Sequence, residues 1–354
     1  MLVVLATAIG APAIAKAAGT ALHVTLSPRE AAIGSAYRIG IDGTAPAGCV
    51  PHIERALLDG ADLSIELSAP ATGCKPRQVP FHLRVDPATT TSVGASPTEV
   101  FRVRVYSSSL AGTRLVAFAL IDTASPTSAP LPESGFWWTQ PDADGTPAPG
   151  TGMSLEFQEN QIAASLLGFA DSGAPTWYFG STTLSGRVAR IPLVQLANGD
   201  GWFSAIVTPP GVLPGPRLEI EFLSPARARA WLVRSDNDGD VQVRPLTLAR
   251  TAFSGGPAGT SWVGRWVLIP EDGGNTRLFD FSGPSSRDAE SFRLTDAEND
   301  AVLDCRLAPG TQQADACTLT AGAALVADFD MVGYDHISGH GANGAPIQLL
   351  RVPR

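Results

Sequence analysis

Hydrophobic and polar residues alternate in short runs along most of this chain, and turn residues separate the runs. In the run MSLEFQ, for example, Met153, Leu155 and Phe157 alternate with polar residues. A period of two places successive side chains on opposite faces of a strand, so each such run predicts a half-buried β-strand. The 36 Gly and 29 Pro residues interrupt the chain too often for long helices. The pattern therefore predicts an all-β fold.

The first folded region is predicted over residues 22–122 and is typical of an immunoglobulin-like β-sandwich. Turn signals separate six β-rich runs there: HVTLSP, YRIGID, ADLSIELS, VPFHLRVD, EVFRVRVY and TRLVAFALID. In the fifth run Phe101 and Val103 alternate with Arg102 and Arg104. One buried and one wet face is typical of an antiparallel sheet, which is the pairing we expect here.

Residues 123–133, TASPTSAPLPE, form a Pro/Ser/Thr-rich linker at the sharpest change of composition along the chain. Residues 134–253 follow as about seven or eight strands, most of them joined by short turns. A meander of that size tends to close on itself because closure removes its exposed edges. For this central domain we therefore predict an antiparallel barrel or a strongly curved sheet.

A Gly/Pro-rich stretch at residues 254–259 precedes a C-terminal β region, residues 260–354. Six runs predict strands in this region: residues 261–269, 276–281, 291–295, 301–307, 324–329 and 346–352. The sequence leaves open whether this region is a separate small β domain or a cover on the central one.

Three motifs of the central domain resemble a known family. They are the pair Trp137-Trp138, the string GMSLEFQ, and the string DSGAPTWY, which ends in Trp177 and Tyr178. Their order resembles an uncharacterised β-rich domain of secreted Gram-negative bacterial proteins, over about a third of the chain. Where that family usually has a glycine after the glutamine, this chain has Glu159-Asn160, which also makes a turn. The resemblance implies export and a β fold, and it implies no particular reaction.

Residues 1–19 are typical of a signal peptide, although a positively charged start is missing. A short apolar stretch, too short to span a membrane, leads to A-x-A-like cleavage sites at residues 13–17. Four cysteines suit an oxidising compartment. Of their three possible pairings, local pairing keeps each bridge within one domain and predicts Cys49–Cys74 and Cys305–Cys317. We expect a secreted or periplasmic protein without a membrane span after signal removal.

The charge pattern argues against nucleic acid as a partner. The net charge is −9, lysine occurs only at Lys16 and Lys75, and no run of basic residues is longer than two. Binding to phosphates or to an anionic membrane requires a concentrated basic surface. Phosphate-binding and G-x-S-x-G motifs are also missing, so we predict no cofactor. The partners that remain are a small molecule, a glycan or an envelope protein.

Trp138, Trp177 and Tyr178 are the leading ligand-binding candidates, together with Trp137 and Trp202. Aromatic faces stack on sugar rings and flat ligands, and an indole N–H fixes their orientation. Core packing is the alternative, and we favour it for Trp177. Adjacent Trp137 and Trp138 must point to opposite faces of a strand, so at most one lies inside. Trp138 and Trp177 begin strands of one meander, and we expect their side chains near the same end of the barrel.

Glu156, Glu219 and Glu221 lie on the polar faces of two predicted strands. Paired carboxylates about 5–9 Å apart can hydrolyse glycosidic bonds, so a carbohydrate-directed hydrolase is an alternative function. Alternating glutamates more often form the solvated side of a strand, and we assign no catalytic residue. Glu156 stays a ligand-binding candidate beside the aromatic residues.

Two further segments contain residue types that bind metal ions. Residues 236–240, DNDGD, resemble a calcium loop, but the glycine is fourth rather than sixth. Asp-Gly between two β runs instead predicts a hairpin that joins residues 231–233 to residues 241–243. His336 and His340 have the spacing of helical zinc ligands, but the glycines around them favour an exposed loop. We therefore predict no bound metal.

Together these features favour a secreted, non-enzymatic binding or interaction protein. The alternatives are the hydrolase and a structural assembly subunit. Glu156 meeting Glu219 or Glu221 in a deep pocket with Trp138 or Trp177 would favour the hydrolase. A long exposed strand edge or an apolar surface patch would favour assembly.

Overall fold

The computed structural model shows an all-β protein, as predicted, and the residues that it describes contain 24 strands and a 3-10 helix at Thr260–Trp262. It describes residues 23–27, 39–70, 72–85, 90–93, 100–109, 112–122, 129–141, 150–200, 203, 211–236, 239–253, 256–288, 290–309 and 311–352. The predicted signal peptide and residues 123–128 of the predicted linker lie outside these ranges. In the described ranges, no helix has the length and apolarity that crossing a bilayer requires.

The first eight strands form two sheets around one core. They are β1 (His23–Ser27), β2 (Ile39–Ala47), β3 (His52–Asp59), β4 (Asp62–Ser68), β5 (Lys75–Val85), β6 (Thr91–Val93), β7 (Val100–Ser109) and β8 (Gly112–Asp122). One sheet has the order β1-β2-β5 and the other β6-β3-β4-β7-β8. Ile39 and Ile41 of the first sheet pack with Leu63 and Val103 of the second. The alternating apolar residues thus face each other between the sheets.

The pairing within the five-stranded sheet differs from the antiparallel arrangement that we predicted. β4 runs parallel to β7, with Leu63 opposite Val103, and β3 runs parallel to β6. Side chains alternate between faces in both kinds of sheet, so Arg102 and Arg104 on the wet face of β7 carried no information about strand direction. The immunoglobulin-like topology of this region stays a prediction.

The central domain is a closed barrel of eight strands, which confirms the predicted barrel. The strands are β9 (Gly135–Gln140), β10 (Gly152–Gln158), β11 (Gln161–Phe169), β12 (Pro175–Thr183), β13 (Val188–Ala197), β14 (Gly211–Ser224), β15 (Arg227–Ser235) and β16 (Val241–Arg250). Each strand pairs with the next along the chain, and β16 pairs with β9 to close the ring. Trp138 lies opposite Ala249 in this closing ladder.

The predicted hairpin between β15 and β16 is confirmed, with a longer loop than a two-residue turn. The antiparallel ladder runs up to Ser235 opposite Val241, so five residues of sequence separate the two paired strands. The Asp240 N–H donates to the Asp236 carboxylate at 2.9 Å, so this side chain closes the loop. Asn237 and Asp238, on which the calcium alternative depends, lie outside the described residues.

The C-terminal region is a second closed barrel of eight strands with its own core. The strands are β17 (Gly264–Pro270), β18 (Arg277–Asp288), β19 (Ser291–Asp296), β20 (Ala301–Leu307), β21 (Ala314–Ala321), β22 (Ala324–Val332), β23 (His336–Gly341) and β24 (Pro346–Arg351). β17 pairs with β24 to close the ring. Aromatic side chains fill the interior, among them Trp262, Trp266, Phe279, Phe292 and Phe329. β21 and β23 were not predicted.

Both predicted disulfides are confirmed. The Cα atoms of Cys49 and Cys74 are 5.2 Å apart, and those of Cys305 and Cys317 are 4.1 Å apart. Cys305 lies directly opposite Cys317 in the ladder of β20 and β21, within the core of the second barrel. Each bridge stays inside one folded region, which is the reason that local pairing was expected.

Candidate ligand-binding site

The two ends of the central barrel differ in how they are filled. At one end the rings of Trp137 and Phe157 both meet Phe222 edge to face, with centroid distances of 5.8 and 5.5 Å. At the other end the inward-facing side chains leave an open cavity of about 700 Å³. Eight strands enclose just enough space for packed side chains or for one small ligand. This barrel has one packed end and one open end.

The open cavity has an apolar floor and a polar rim. The floor consists of Leu166, Tyr178, Leu232 and Leu246, which belong to the barrel core or pack against it. The rim residues with polar side chains are Thr151, Asp171, Ser172, Thr176, Arg234, Gln242 and Arg244. A concave site of a few hundred cubic ångströms, with apolar walls and a few polar groups, is typical of small-molecule binding.

Two arginines give the rim its positive charge, and they differ in their partners. Arg234 binds the Asp171 carboxylate at 2.7 Å and the Gln242 side-chain oxygen at 2.6 Å. Arg244 is exposed and has no ion-pair partner among the residues that the structure describes. Arg244 lies opposite Leu232 in the ladder, one inward position closer to the floor than Gln242. Its guanidinium is therefore available to bind a carboxylate or another anion in two-point fashion.

The loop between β11 and β12 lies over the mouth of this cavity. Asp171 in that loop binds Arg234 near the end of β15. β11 and β15 are four strands apart in a ring of eight, so they stand on opposite sides of the barrel. The ion pair thus spans the mouth. Both partners are well exposed, and an exposed pair contributes little to stability, so the loop can open at small energetic cost.

Trp137 and Trp138 point to opposite faces of β9, as predicted. Trp137 is fully buried inside the barrel, whereas Trp138 is 40% exposed on its outer surface. The core packing that we favoured for Trp177 is wrong, because this side chain is 43% exposed and stacks on Phe179 outside the barrel. Tyr178 takes the inward position of β12, which leaves its neighbour Trp177 outside.

Trp138 and Trp177 lie at one level of the outer surface. Trp138 is opposite Gly152, Gly152 is opposite Leu167, and Leu167 is opposite Trp177. Leu167 is exposed, as is Phe169 on the same face of β11. We call Trp138, Leu167, Phe169 and Trp177 the apolar belt. Of the predicted aromatic candidates, Tyr178 lines the barrel cavity, and Trp202 lies outside the described residues.

The predicted carboxylate candidates do not come together. Glu156 points outward from β10, is exposed, and accepts a hydrogen bond from Ser154 at 3.0 Å. Glu219 and Glu221 are on β14, four strands away and therefore on the opposite side of the barrel. The separation needed for paired carboxylates at a glycosidic bond is not possible across the outside of a barrel.

Glu219 and Glu221 instead connect the barrel to the N-terminal sheets. Glu219 is 1% exposed, pairs with Arg190 at 2.9 Å and Arg217 at 2.8 Å, and accepts the Leu120 N–H of β8. Burial raises the pKa of Glu221, against the opposing effect of nearby arginines. A buried carboxylate with two arginines and a backbone donor is a structural contact between domains.

His336 and His340 lie on strand β23 rather than in the exposed loop that we predicted. β23 pairs with both β22 and β24. A Cβ at Gly339 would lie 2.1 Å from a backbone oxygen of Asp328, so glycine permits this close strand packing. Burial lowers the pKa of His336. Within the described ranges, no group of three or more His, Cys, Asp or Glu side chains is placed to hold a metal ion.

Comparison with known proteins leaves the function open. No protein-family model matches the sequence, and no curated protein matches it. One similar solved structure is a protein of unknown function from the DUF3598 family of Nostoc punctiforme, 13% identical over 62% of this chain and 94% of that chain, with a TM-score of 0.17. The fold and the cavity define this chain as an all-β protein whose central barrel opens into a ligand-sized cavity.

Proposed function

We propose that this protein binds, without catalysis, a small ligand with an apolar body and an anionic head in the cavity of the central barrel. The observation that carries the proposal is the open barrel end, where an apolar floor lies beneath a rim with Arg244, which has no ion-pair partner in the part of the chain that the structure describes. The cavity of about 700 Å³ has the volume of common small-molecule sites.

Each part of the cavity fits one part of the proposed ligand. The apolar body lies on Leu166, Leu232 and Leu246, where removal of its surface from water supplies most of the affinity. The anionic head binds Arg244, because Arg234 already holds Asp171. A charged head fixes orientation and selects among ligands more than it adds affinity.

The proposed site of action is outside the cytoplasm, in the periplasm or the surroundings of the cell. The two disulfides support it, because such bonds persist in oxidising compartments. The resemblance of the central domain to secreted Gram-negative proteins points the same way. A binding protein in that location carries or captures its ligand rather than processing it.

The two alternative functions are not equally supported. The hydrolase requires neighbouring carboxylates, and Glu156 lies on the side of the barrel opposite Glu219. The assembly subunit has one observation in its favour, the apolar belt with its exposed Leu167 and Trp177. Any binding experiment must therefore separate the cavity from the belt.

Anilinonaphthalene sulfonate, a fluorescent probe with an apolar body and a sulfonate, tests the proposal. We expect saturable binding to one site, weakened about tenfold by Arg244→Ala, which corresponds to about 1.4 kcal/mol. Phenylnaphthylamine, which lacks the sulfonate, should bind wild type and Arg244→Ala alike. Arg265→Ala is the matched control, because Arg265 is an exposed arginine of the other barrel.

The same titration with Trp177→Ala separates the cavity from the apolar belt, since the probe also binds exposed aromatic surfaces. In the proposed arrangement this variant binds the probe as wild type does. If Trp177→Ala removes the fluorescence and Arg244→Ala leaves it intact, the belt is the binding surface. That result would refute the cavity proposal and favour the assembly function.

A further inference from the structure

The central and C-terminal barrels enclose a second cavity of about 750 Å³, which we call the inter-barrel groove. Phe136, Trp138 and Gln140 of β9 line one wall, and Gln312 and Gln313 before β21 line the other. The groove shares no lining residue with the barrel cavity. It is therefore a separate candidate site, at the junction of two domains, where ligand sites are common.

Direct contacts between the barrels hold the walls of the groove in place. The Gln313 side-chain N–H donates to the Ala226 carbonyl at 2.6 Å, and Arg227 pairs with Asp315. Glu133, just before the central barrel, accepts the backbone N–H of Asp335 at 2.7 Å. The groove is therefore preformed. Binding of a ligand does not have to include the entropic cost of ordering its walls, which favours affinity.

The wall formed by β9 offers an aromatic surface. The rings of Phe136 and Trp138 are 5.8 Å apart and are tilted by 32° relative to each other. A Cβ at Gly152 would lie 2.6 Å from both rings, so the glycine leaves room for them against the barrel. Trp138 remains 40% exposed and lines the groove. Such a surface stacks on the apolar face of a sugar ring.

The opposite wall has an unused hydrogen-bond acceptor. Gln313 is 2% exposed, and its nitrogen is occupied by Ala226. Its oxygen Oε1 is buried and has no hydrogen-bond partner among the described residues. A buried acceptor without a donor is unfavourable, so a donor supplied by a ligand would be stabilising.

The groove carries little net charge. Arg250 and Glu290 are the charged residues among its lining. The Arg250 guanidinium is neutralised by Glu133 at 3.1 Å and Asp335 at 3.4 Å. The remaining polar groups are amides and hydroxyls, among them Gln140, Gln312 and Thr251. Neutral polar groups beside an aromatic face suit a neutral ligand rich in hydroxyl groups.

The closure of both barrels argues against an extended peptide in the groove. Peptides of that kind bind by adding a strand to an open sheet edge. β9, the strand that lines the groove, pairs with β10 on one side and with β16 on the other, so it offers no free edge there. An oligosaccharide needs no sheet edge, because its hydroxyls bind side chains and its rings stack on aromatic faces.

We propose that the inter-barrel groove binds a neutral oligosaccharide. One sugar ring stacks on Trp138, and a sugar hydroxyl donates to Oε1 of Gln313. This site is independent of the anionic ligand in the barrel cavity. In a secreted or periplasmic protein it would anchor the chain to a polysaccharide while the barrel cavity remains free for its own ligand.

Calorimetric titration with cellohexaose, maltohexaose and N-acetylated chitohexaose tests the proposal. We expect saturable binding of at least one of them, weakened about tenfold or more by Trp138→Ala and by Gln313→Leu. Trp177→Ala is the matched control, because this tryptophan is equally exposed on the same barrel but lies outside the groove. Binding of anilinonaphthalene sulfonate should be unchanged in the Trp138→Ala and Gln313→Leu variants, which separates this site from the barrel cavity.

Two results with the wild type and the tryptophan variants would overturn the assignment. One is that none of the three hexasaccharides binds saturably at millimolar concentration. The other is that Trp177→Ala abolishes binding while Trp138→Ala retains it, which would move the glycan to the outer belt. If Gln313→Leu does not fold, Gln312→Ala tests the same wall with an exposed residue; wild-type affinity in both Gln312→Ala and Trp138→Ala would also refute the groove.

Discussion

Replacing Glu133 by alanine is expected to destabilise the protein by about 3–5 kcal/mol, as the loss of one partner from a buried ion pair does. The Glu133 carboxylate accepts the backbone N–H groups of Tyr334, Asp335 and His336 at 3.0, 2.7 and 3.0 Å. It also pairs with Arg250 at 3.1 Å, and its side chain is 9% exposed. Alanine leaves the three N–H groups without their acceptor, and it leaves the mostly buried Arg250 guanidinium with Asp335 as its remaining ion-pair partner.

Denaturant unfolding followed by tryptophan fluorescence measures this effect, with the exposed Glu298→Ala as the matched control. The control should change the unfolding free energy by no more than about 0.5 kcal/mol, as most surface substitutions do. Equal stability of Glu133→Ala and Glu298→Ala would show that the carboxylate does not hold the two barrels together. Because several domains unfold, the transitions of the two barrels must be compared separately.

Glu133→Gln, which keeps the shape and one acceptor oxygen, isolates the contribution of ionisation. Burial raises the pKa of Glu133, against the opposing effects of the Asp335 N–H and Arg250. The folded protein therefore binds this proton more tightly than the unfolded chain does. The stability that the protonated Glu133 contributes is complete below the ordinary pKa of a glutamate. It is lost as the pH rises through the raised pKa of Glu133 in the folded protein. Relative to Glu133→Gln, the wild type should lose stability with rising pH in that range, and the opposite slope would contradict the assignment.

The alternation of residues predicted most of the strands and the central antiparallel barrel, but it missed some strands and the parallel pairs of the five-stranded sheet. The period of two in a strand such as β7 is the same whether its neighbour runs parallel or antiparallel. The parallel pairing of β4 and β7 therefore left no signal in the sequence. β23 has the sequence HISGHG, with Ile337 as its one apolar side chain. β23 is a strand because β22 and β24 of the second barrel pair with it on both sides, and its glycines permit this close packing.

The candidate site was predicted in part, through Tyr178. Arg244 and Asp171 were not, because the site joins two strand pairs that are distant in sequence, β11–β12 and β15–β16. An arginine near a strand end gives the same sequence pattern whether it faces solvent or the mouth of a barrel. The register of the closed ring decides this, and the volumes of side chains such as Trp137 and Phe222 decide which end stays open.

Trp137 and Trp138 should respond in opposite ways to truncation. Trp137→Ala is expected to destabilise the protein by about 3–5 kcal/mol, the range for large aromatic residues removed from a core. The Trp137 ring is fully buried against Phe222, and its N–H donates to the Glu133 carbonyl at 3.3 Å. Trp138→Ala should change stability by less than about 1.5 kcal/mol, because its ring lies half-exposed on the outer surface.

Unfolding free energies of the two variants, measured beside glycan affinity, decide between packing and binding for each ring. Trp137→Phe should recover part of the stability lost in Trp137→Ala, because a smaller ring still contacts Phe222. Wild-type stability of Trp137→Ala would mean that this ring does not pack the closed end. A loss of stability in Trp138→Ala as large as that in Trp137→Ala would show that the outer ring is structural. Only a stable Trp138→Ala protein with weakened glycan binding is consistent with an aromatic wall that serves the groove.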